Sequence, residues 1–124
     1  MRFNVVDKFT QSYVTCALWS TNDNSDEQGG NPLDQNYDYT DFSDELTQRV
    51  EKDCAAFQAQ CDELISEDIA DWEQAGHDFW LTRNGHGAGF WDGDWPVHGD
   101  KLTAIAERFG ELDIYVGDDG KLYV

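Results

Sequence analysis

The chain has 124 residues, with eight Lys and Arg against 26 Asp and Glu, and a formal net charge of −18. That length predicts a single domain over residues 1–124, and 40% hydrophobic with 14% aromatic residues supply enough apolar area for a packed core rather than general disorder. The charge balance argues against direct nucleic-acid binding, which needs a basic groove for the phosphates, and no apolar run approaches the ~20 residues that span a bilayer, so no membrane partner is expected.

Residues 7–20 place Phe9, Tyr13, Cys16, Ala17 and Ser20 at helical spacing, with Asp7 as N-cap. Val14, Cys16 and Leu18 also alternate as a strand would; helix is the reading adopted. Residues 21–39 are rich in Asp, Asn and Gly, lack a base, and read as a loop. The Asp23-x-Ser25-x-Glu27 start resembles a calcium loop, but Gln28 stands where glycine is required and Asp34 where a bidentate Glu belongs, which argues against calcium.

The longest element begins at Asp41 or Ser43. Leu46, Val50, Cys54, Phe57, Cys61, Leu64 or Ile65, Ile69 and Trp72 step by three and four, as in an amphipathic helix. Asp41, Asp44 and Glu45 suit the positive end of its dipole, a kink is expected near Ser66, and Gly76 reads as the terminator. The other face carries Glu51, Asp62, Glu63, Glu67, Asp68, Asp71 and Glu73. Residues 77–83 and 88–92 read as two strands joined by Asn84-Gly85-His86-Gly87. Residues 100–109 predict a short helix, and residues 112–116 and 121–124 a last hairpin around Asp118-Asp119-Gly120. The expected class is α+β: a small antiparallel sheet of about four strands, in two hairpins, packed against a long amphipathic helix and two shorter helices.

Cys16, Cys54 and Cys61 make an odd count, a poor disulfide framework; they read as small buried apolar residues in a reducing compartment. The first residues lack the apolar stretch of a secretory signal, and a cytoplasmic location is expected.

Charge is unevenly spread. Residues 21–79 hold 17 acids against Arg49 and Lys52, a net of −15, whereas the other 65 residues hold nine acids and six bases, a net of −3. A uniform solubility coat would not polarise the chain in this way. Carboxylates three and four apart on a helix lie ~5–6 Å from one another, comparable to phosphates along a nucleic-acid strand. Glu51, Asp62, Glu63, Glu67, Asp68, Asp71 and Glu73 are therefore the expected partner-binding residues. The rivals are a solvated helix face and halophilic adaptation.

The alternative is a small metal-dependent enzyme. His77, His86 and His98 lie near Asp78, Asp92 and Asp94, with His77, His86 and Asp92 at its centre and Arg83 beside it. No histidine pair has helical ligand spacing and no nucleophile motif is present, so no catalytic residue, metal or cofactor is assigned. The aromatic residues Phe79, Trp80, Phe90, Trp91 and Trp95 read as core packing. A base-stacking platform would need a positive groove that this chain does not offer.

The run from Gly76 to Asp92, GHDFWLTRNGHGAGFWD, resembles a family of small acidic proteins encoded by bacteriophages and related mobile elements. Further matching features are Gly99-Asp100-Lys101-Leu102, Tyr115-Val116-Gly117-Asp118-Asp119-Gly120, Cys16-Ala17-Leu18-Trp19-Ser20 and Asp53-Cys54-Ala55-Ala56-Phe57. The family has no established activity, so the resemblance implies a phage origin and no mechanism. By analogy with phage counter-defence proteins, the expectation is a nucleic-acid mimic that inhibits a basic DNA-handling host protein, as in anti-CRISPR or anti-restriction. A homodimer is also compatible with the sequence.

Overall fold

The computed structural model describes residues 8–23, 31–85, 89–91 and 93–124. Four helices dominate: α1 (Lys8–Ser20), α2 (Asp44–Glu67), α3 (Trp72–Arg83) and α4 (Gly99–Glu107). The first follows the helical reading of residues 7–20; Asp7, expected as its cap, lies outside the described residues, as do Ser25, Glu27 and Gln28 of the calcium-like run. Two short antiparallel ladders accompany the helices. Strands β1 (Asn22–Asp23) and β2 (Asn31–Pro32) pair Asn22 with Pro32 and Asp23 with Asn31, inside the expected loop. Strands β3 (Tyr115–Val116) and β4 (Leu122–Tyr123) pair Tyr115 with Tyr123 and Val116 with Leu122, around the expected Asp118-Asp119-Gly120 turn.

The α+β expectation is overturned, because each ladder contains two two-residue strands and no four-stranded sheet exists among the described residues. The main error lies at residues 77–83, which form the second half of α3. The physical reason is burial on nearly every side. Ala75, Gly76, Asp78, Phe79, Trp80, Leu81, Thr82 and Arg83 are all buried, so no 3.6-residue alternation of polar and apolar marks the helix. A helix buried all round loses its amphipathic signature. The aromatic and β-branched composition then imitates a strand. The partner strand fails with it: Phe90 is buried in a turn and Trp91 is exposed, while His86, Gly87, Ala88 and Asp92 lie outside the described residues.

The long helix ends sooner than expected. Ser43 caps α2 by accepting the Leu46 N–H at 3.1 Å, and the helix stops at Glu67. Ala70 adopts a left-handed φ of 52° while its N–H donates to the Ile65 carbonyl at 2.8 Å, which closes the last turn. Asp71 then accepts the Gln74 N–H at 2.9 Å and starts α3. Gly76, expected as a terminator, sits inside α3 and lets it press onto the backbone of α1: a Cβ there would lie 2.1 Å from the Phe9 carbonyl oxygen.

Around that contact the core is aromatic. Phe57 of α2 stacks on Phe79 with ring centroids 4.2 Å apart, Tyr13 meets Trp80 edge-on at 5.4 Å, and Phe109 meets Phe79 edge-on at 5.0 Å. Such pairs add ~0.5–1.5 kcal/mol each beyond area burial. The aromatic block is thus core, as expected, except for Trp91. Buried polar groups pin α3 at its middle, through Asp78, and at its C-terminal end, through Arg83. The Arg83 side chain is 0% exposed and donates to Asp53 Oδ2 at 2.8 Å and to the Tyr13 hydroxyl at 2.9 Å. It also donates to the carbonyls of Gly110 at 2.8 Å and Phe109 at 3.2 Å. Asp78 accepts from Trp95 Nε1 at 2.7 Å and Gln74 Nε2 at 2.9 Å.

All three cysteines are buried, and none is in a disulfide. Burial first, and the Asp78 charge second, push the Cys16 thiol up to about 12; burial, then Asp62, does the same for Cys61. Burial also raises the Tyr13 hydroxyl, against the opposing pull of Arg83. Each folded-state value lies above its unfolded one. The neutral forms therefore contribute stability that is fully present below about pH 9 and is lost as pH rises toward 12. The expected melting temperature falls above about pH 9, and a thiol reagent at neutral pH labels the cysteines only after denaturant is added. Rapid labelling of the native protein would contradict this burial.

Candidate functional site

The seven acidic residues expected to bind a partner do not form one row. Six converge where α2 ends and α3 begins: Asp62, Glu63, Glu67, Asp68, Asp71 and Glu73. Glu51 stands apart. It is half-buried, eleven residues and about 16 Å along α2 from Asp62 at ~1.5 Å per residue, and it lies between Arg49 and Lys52. The exposed middle of α2 is otherwise Gln48, Ala55, Ala59 and Gln60. Of the other acids in the polarised stretch, Asp34, Asp38, Asp41, Asp44 and Glu45 gather at or before the opposite end of α2.

The corner at residues 62–73 is built by specific bonds. Asp62 Oδ1 accepts from Trp72 Nε1 at 3.1 Å, so the first residue of α3 ties back to the last turns of α2. Asp71 is the α3 cap. Asp68 Oδ2 accepts the N–H groups of Val97 at 3.0 Å and His98 at 2.6 Å, drawing the turn before α4 onto the corner. The other oxygen, Asp68 Oδ1, is enclosed without a hydrogen-bond partner, which costs ~1–3 kcal/mol in a typical buried group. His98 Nε2 lies 3.0 Å from Glu67 Oε1. Glu63 and Glu73 are exposed.

Among the described residues, no Lys or Arg pairs with any of these six carboxylates. Both arginine–carboxylate pairs among those residues end on Asp53, Arg49 at 3.0 Å and Arg83 at 2.8 Å, away from the corner. Four of the six carboxylates are held in fixed geometry, and none of the six meets a Lys or Arg among the described residues, Glu67 having His98 beside it. A fixed set of like charges focuses potential on its surroundings and accelerates encounter with a cationic surface.

The histidine-centred alternative gains no support from the geometry. His77 stacks on Trp19 with centroids 5.9 Å apart and sits 3.4 Å from Asp78 Oδ1, while His98 belongs to the acidic corner. Among the described residues no three His, Cys, Asp or Glu side chains are grouped to hold a metal ion; His86 and Asp92 lie outside those residues. Arg83, considered as a cleft residue, is buried in the core.

Sequence reasoning missed Val97 and His98 as parts of the corner, and it placed Ile69 on the buried stripe although its side chain is exposed. The kink expected near Ser66 falls beside the true end of α2 at Glu67, and a signal for a full break was present in Asp71-x-x-Gln74, a capping residue inside the apolar stripe. Nothing in sequence spacing could have brought residues 97 and 98 to residues 67 and 68.

Among the described residues no helix is long and apolar enough to cross a membrane. The chain matches no protein-family model, no curated protein and no solved structure.

Proposed function

We propose that this chain is an acidic binding protein whose 62–73 corner docks on a basic protein that normally handles nucleic acid, occupying the groove that would hold phosphates. The observation that carries the reading is the corner itself: six carboxylates, four of them fixed by hydrogen bonds, none paired with a Lys or Arg among the described residues. A phage-encoded inhibitor of a restriction or CRISPR protein is one such protein, in keeping with the family resemblance. Glu51, set apart beside two bases, lies outside the proposed surface.

Capture from a bacterial lysate at low salt, with identification by mass spectrometry, tests the reading. Basic nucleic-acid-handling proteins are expected, and their retention falls steeply as salt rises. The triple variant Glu63→Lys, Glu67→Lys, Glu73→Lys is expected to lose capture at least about a hundredfold, a typical scale for removing several charges from one interface. It spares Asp71, Asp62 and Asp68, whose bonds hold the fold, and gives up only the Glu67 contact with His98, so an unchanged circular dichroism spectrum is required of it. Asp118→Lys, in the exposed β3–β4 turn, is expected to change capture little. Partners without a nucleic-acid role, retained equally by the triple variant, would reject the proposal.

A further inference from the structure

We infer that the groove between α1 and α3 is a binding site for a small zwitterion, a free α-amino acid with an uncharged polar side chain. The site does not depend on the docking role proposed above, although Glu73 belongs to both.

The groove runs beside the close approach at Gly76, where α3 presses onto the α1 backbone at Phe9. Its α1 wall is Lys8, Gln11, Ser12 and Thr15, which follow one another by three, one and three residues and so share a helix face. Its α3 wall is Glu73 and His77, four residues apart. These six polar residues line a space of about 350 Å3, at the lower end of the ~300–1,000 Å3 usual for small-molecule sites. Trp19 stacks on His77 with centroids 5.9 Å apart and steadies the imidazole.

The lining groups are uncommitted. Among the described residues neither Lys8 nor Glu73 is in an ion pair, and Gln11, Ser12 and Thr15 make no side-chain hydrogen bond. His77 meets Asp78 through Nδ1 at 3.4 Å, which leaves Nε2 available. Two opposite charges thus share one groove without neutralising each other.

That arrangement selects the ligand. An anion such as phosphate would meet one lysine beside Glu73, on a chain of net charge −18. A simple cation would be repelled by Lys8. A neutral polyol could use the hydroxyls and the amide but would answer neither charge. A zwitterion answers both: its carboxylate accepts from Lys8 Nζ and its ammonium donates to the Glu73 carboxylate, in charge-assisted bonds stronger than neutral ones. Gln11, Ser12 and Thr15 then offer donors and acceptors to a polar side chain.

The test follows the amide resonances of the nitrogen-labelled full chain by NMR during titration with L-glutamine. Saturable shifts are expected at Gln11, Ser12, Thr15 and His77, with a Kd on the order of 1 mM. N-acetyl-L-glutamine keeps only the carboxylate charge and L-glutaminamide only the ammonium. Each is expected to bind about tenfold more weakly, the scale of one charge-assisted hydrogen bond. In Lys8→Gln, L-glutamine is expected to bind no better than L-glutaminamide; in Glu73→Gln, no better than N-acetyl-L-glutamine. Both positions are exposed, so both variants are expected to keep the wild-type circular dichroism spectrum. The inference is overturned by the absence of saturable shifts at the groove, by equal affinity for L-glutamine and its two analogues, by tighter binding of glucose than of L-glutamine, or by variants that discriminate as the wild type does. No partner protein is present in the titration and Lys8 lies outside the acidic corner, so each of these results leaves the docking proposal standing.

Discussion

Replacing Arg83 with methionine is expected to destabilise the fold by about 3–5 kcal/mol, the usual cost of leaving a buried charge without its partner. Arg83 is fully enclosed and serves four acceptors at once: Asp53, the Tyr13 hydroxyl, and the carbonyls of Phe109 and Gly110. It also lies over the rings of Phe79 and Phe109, at 5.4 and 5.7 Å from their centroids. One side chain thus joins α1, α2, α3 and the segment after α4. In Arg83→Met, Asp53 keeps only Arg49, whose own side chain is 43% exposed. Typical domains are stable by ~5–15 kcal/mol, so such a loss consumes much of the total. Chemical denaturation of Arg83→Met and of the double variant Arg83→Met, Asp53→Leu separates the causes. Partial recovery in the double variant is expected, because both charges leave together. A single variant within about 1 kcal/mol of wild type would show that the buried pair does not organise the core.

The second large effect is expected at Gly76. Alanine there would place a Cβ 2.1 Å from the Phe9 carbonyl oxygen and 2.9 Å from its carbonyl carbon. Both atoms are backbone, so no side chain can turn aside; α1 and α3 must separate. Alanine normally favours a helix interior over glycine by ~1 kcal/mol. Overpacking a tight core typically costs ~1–3 kcal/mol and sometimes more. The steric term wins, and Gly76→Ala is expected to lower stability by roughly 2–3 kcal/mol, measured by urea unfolding. A neutral or stabilising result would mean that the helices do not approach so closely.

These two residues also show why the fold was only partly legible in the sequence. Gly76 reads locally as a stop, since glycine is a common helix terminator; its role as a contact point becomes visible only when α1 is laid against it. Arg83 reads as a surface or cleft cation, because arginine is rarely enclosed without partners. Its partners lie 26 to 70 positions away, beyond any local pattern. The amphipathic elements were legible for the opposite reason. In α2, Leu46, Val50, Cys54, Phe57, Cys61 and Ile65 are buried at the spacing read from sequence, and α4 buries Leu102 and Ala106 likewise. The same rule failed on α3, where Asp78, Thr82 and Arg83 face inward with partners of their own.

The candidate site was legible in composition but not in shape. The excess of acid over base in residues 21–79 is a property of the sequence, and six of the seven predicted residues fall at one corner. Treating residues 46–72 as one stripe, with only a kink near Ser66, aligned those carboxylates with Glu51 and hid the turn. With the break at residues 68–71, Ile69 moves from the core stripe to the surface, and Asp68 becomes the anchor for Val97 and His98.

Displacement of nucleic acid tests the central claim most directly. A basic protein captured by the chain is loaded with labelled duplex DNA, and the chain is titrated in while release of the duplex is followed. The account predicts complete displacement by the wild type at low salt, and none by the variant Glu63→Lys, Glu67→Lys, Glu73→Lys. Simultaneous binding of duplex and chain, with the label still bound at saturation, would show that the acidic corner does not occupy the nucleic-acid groove.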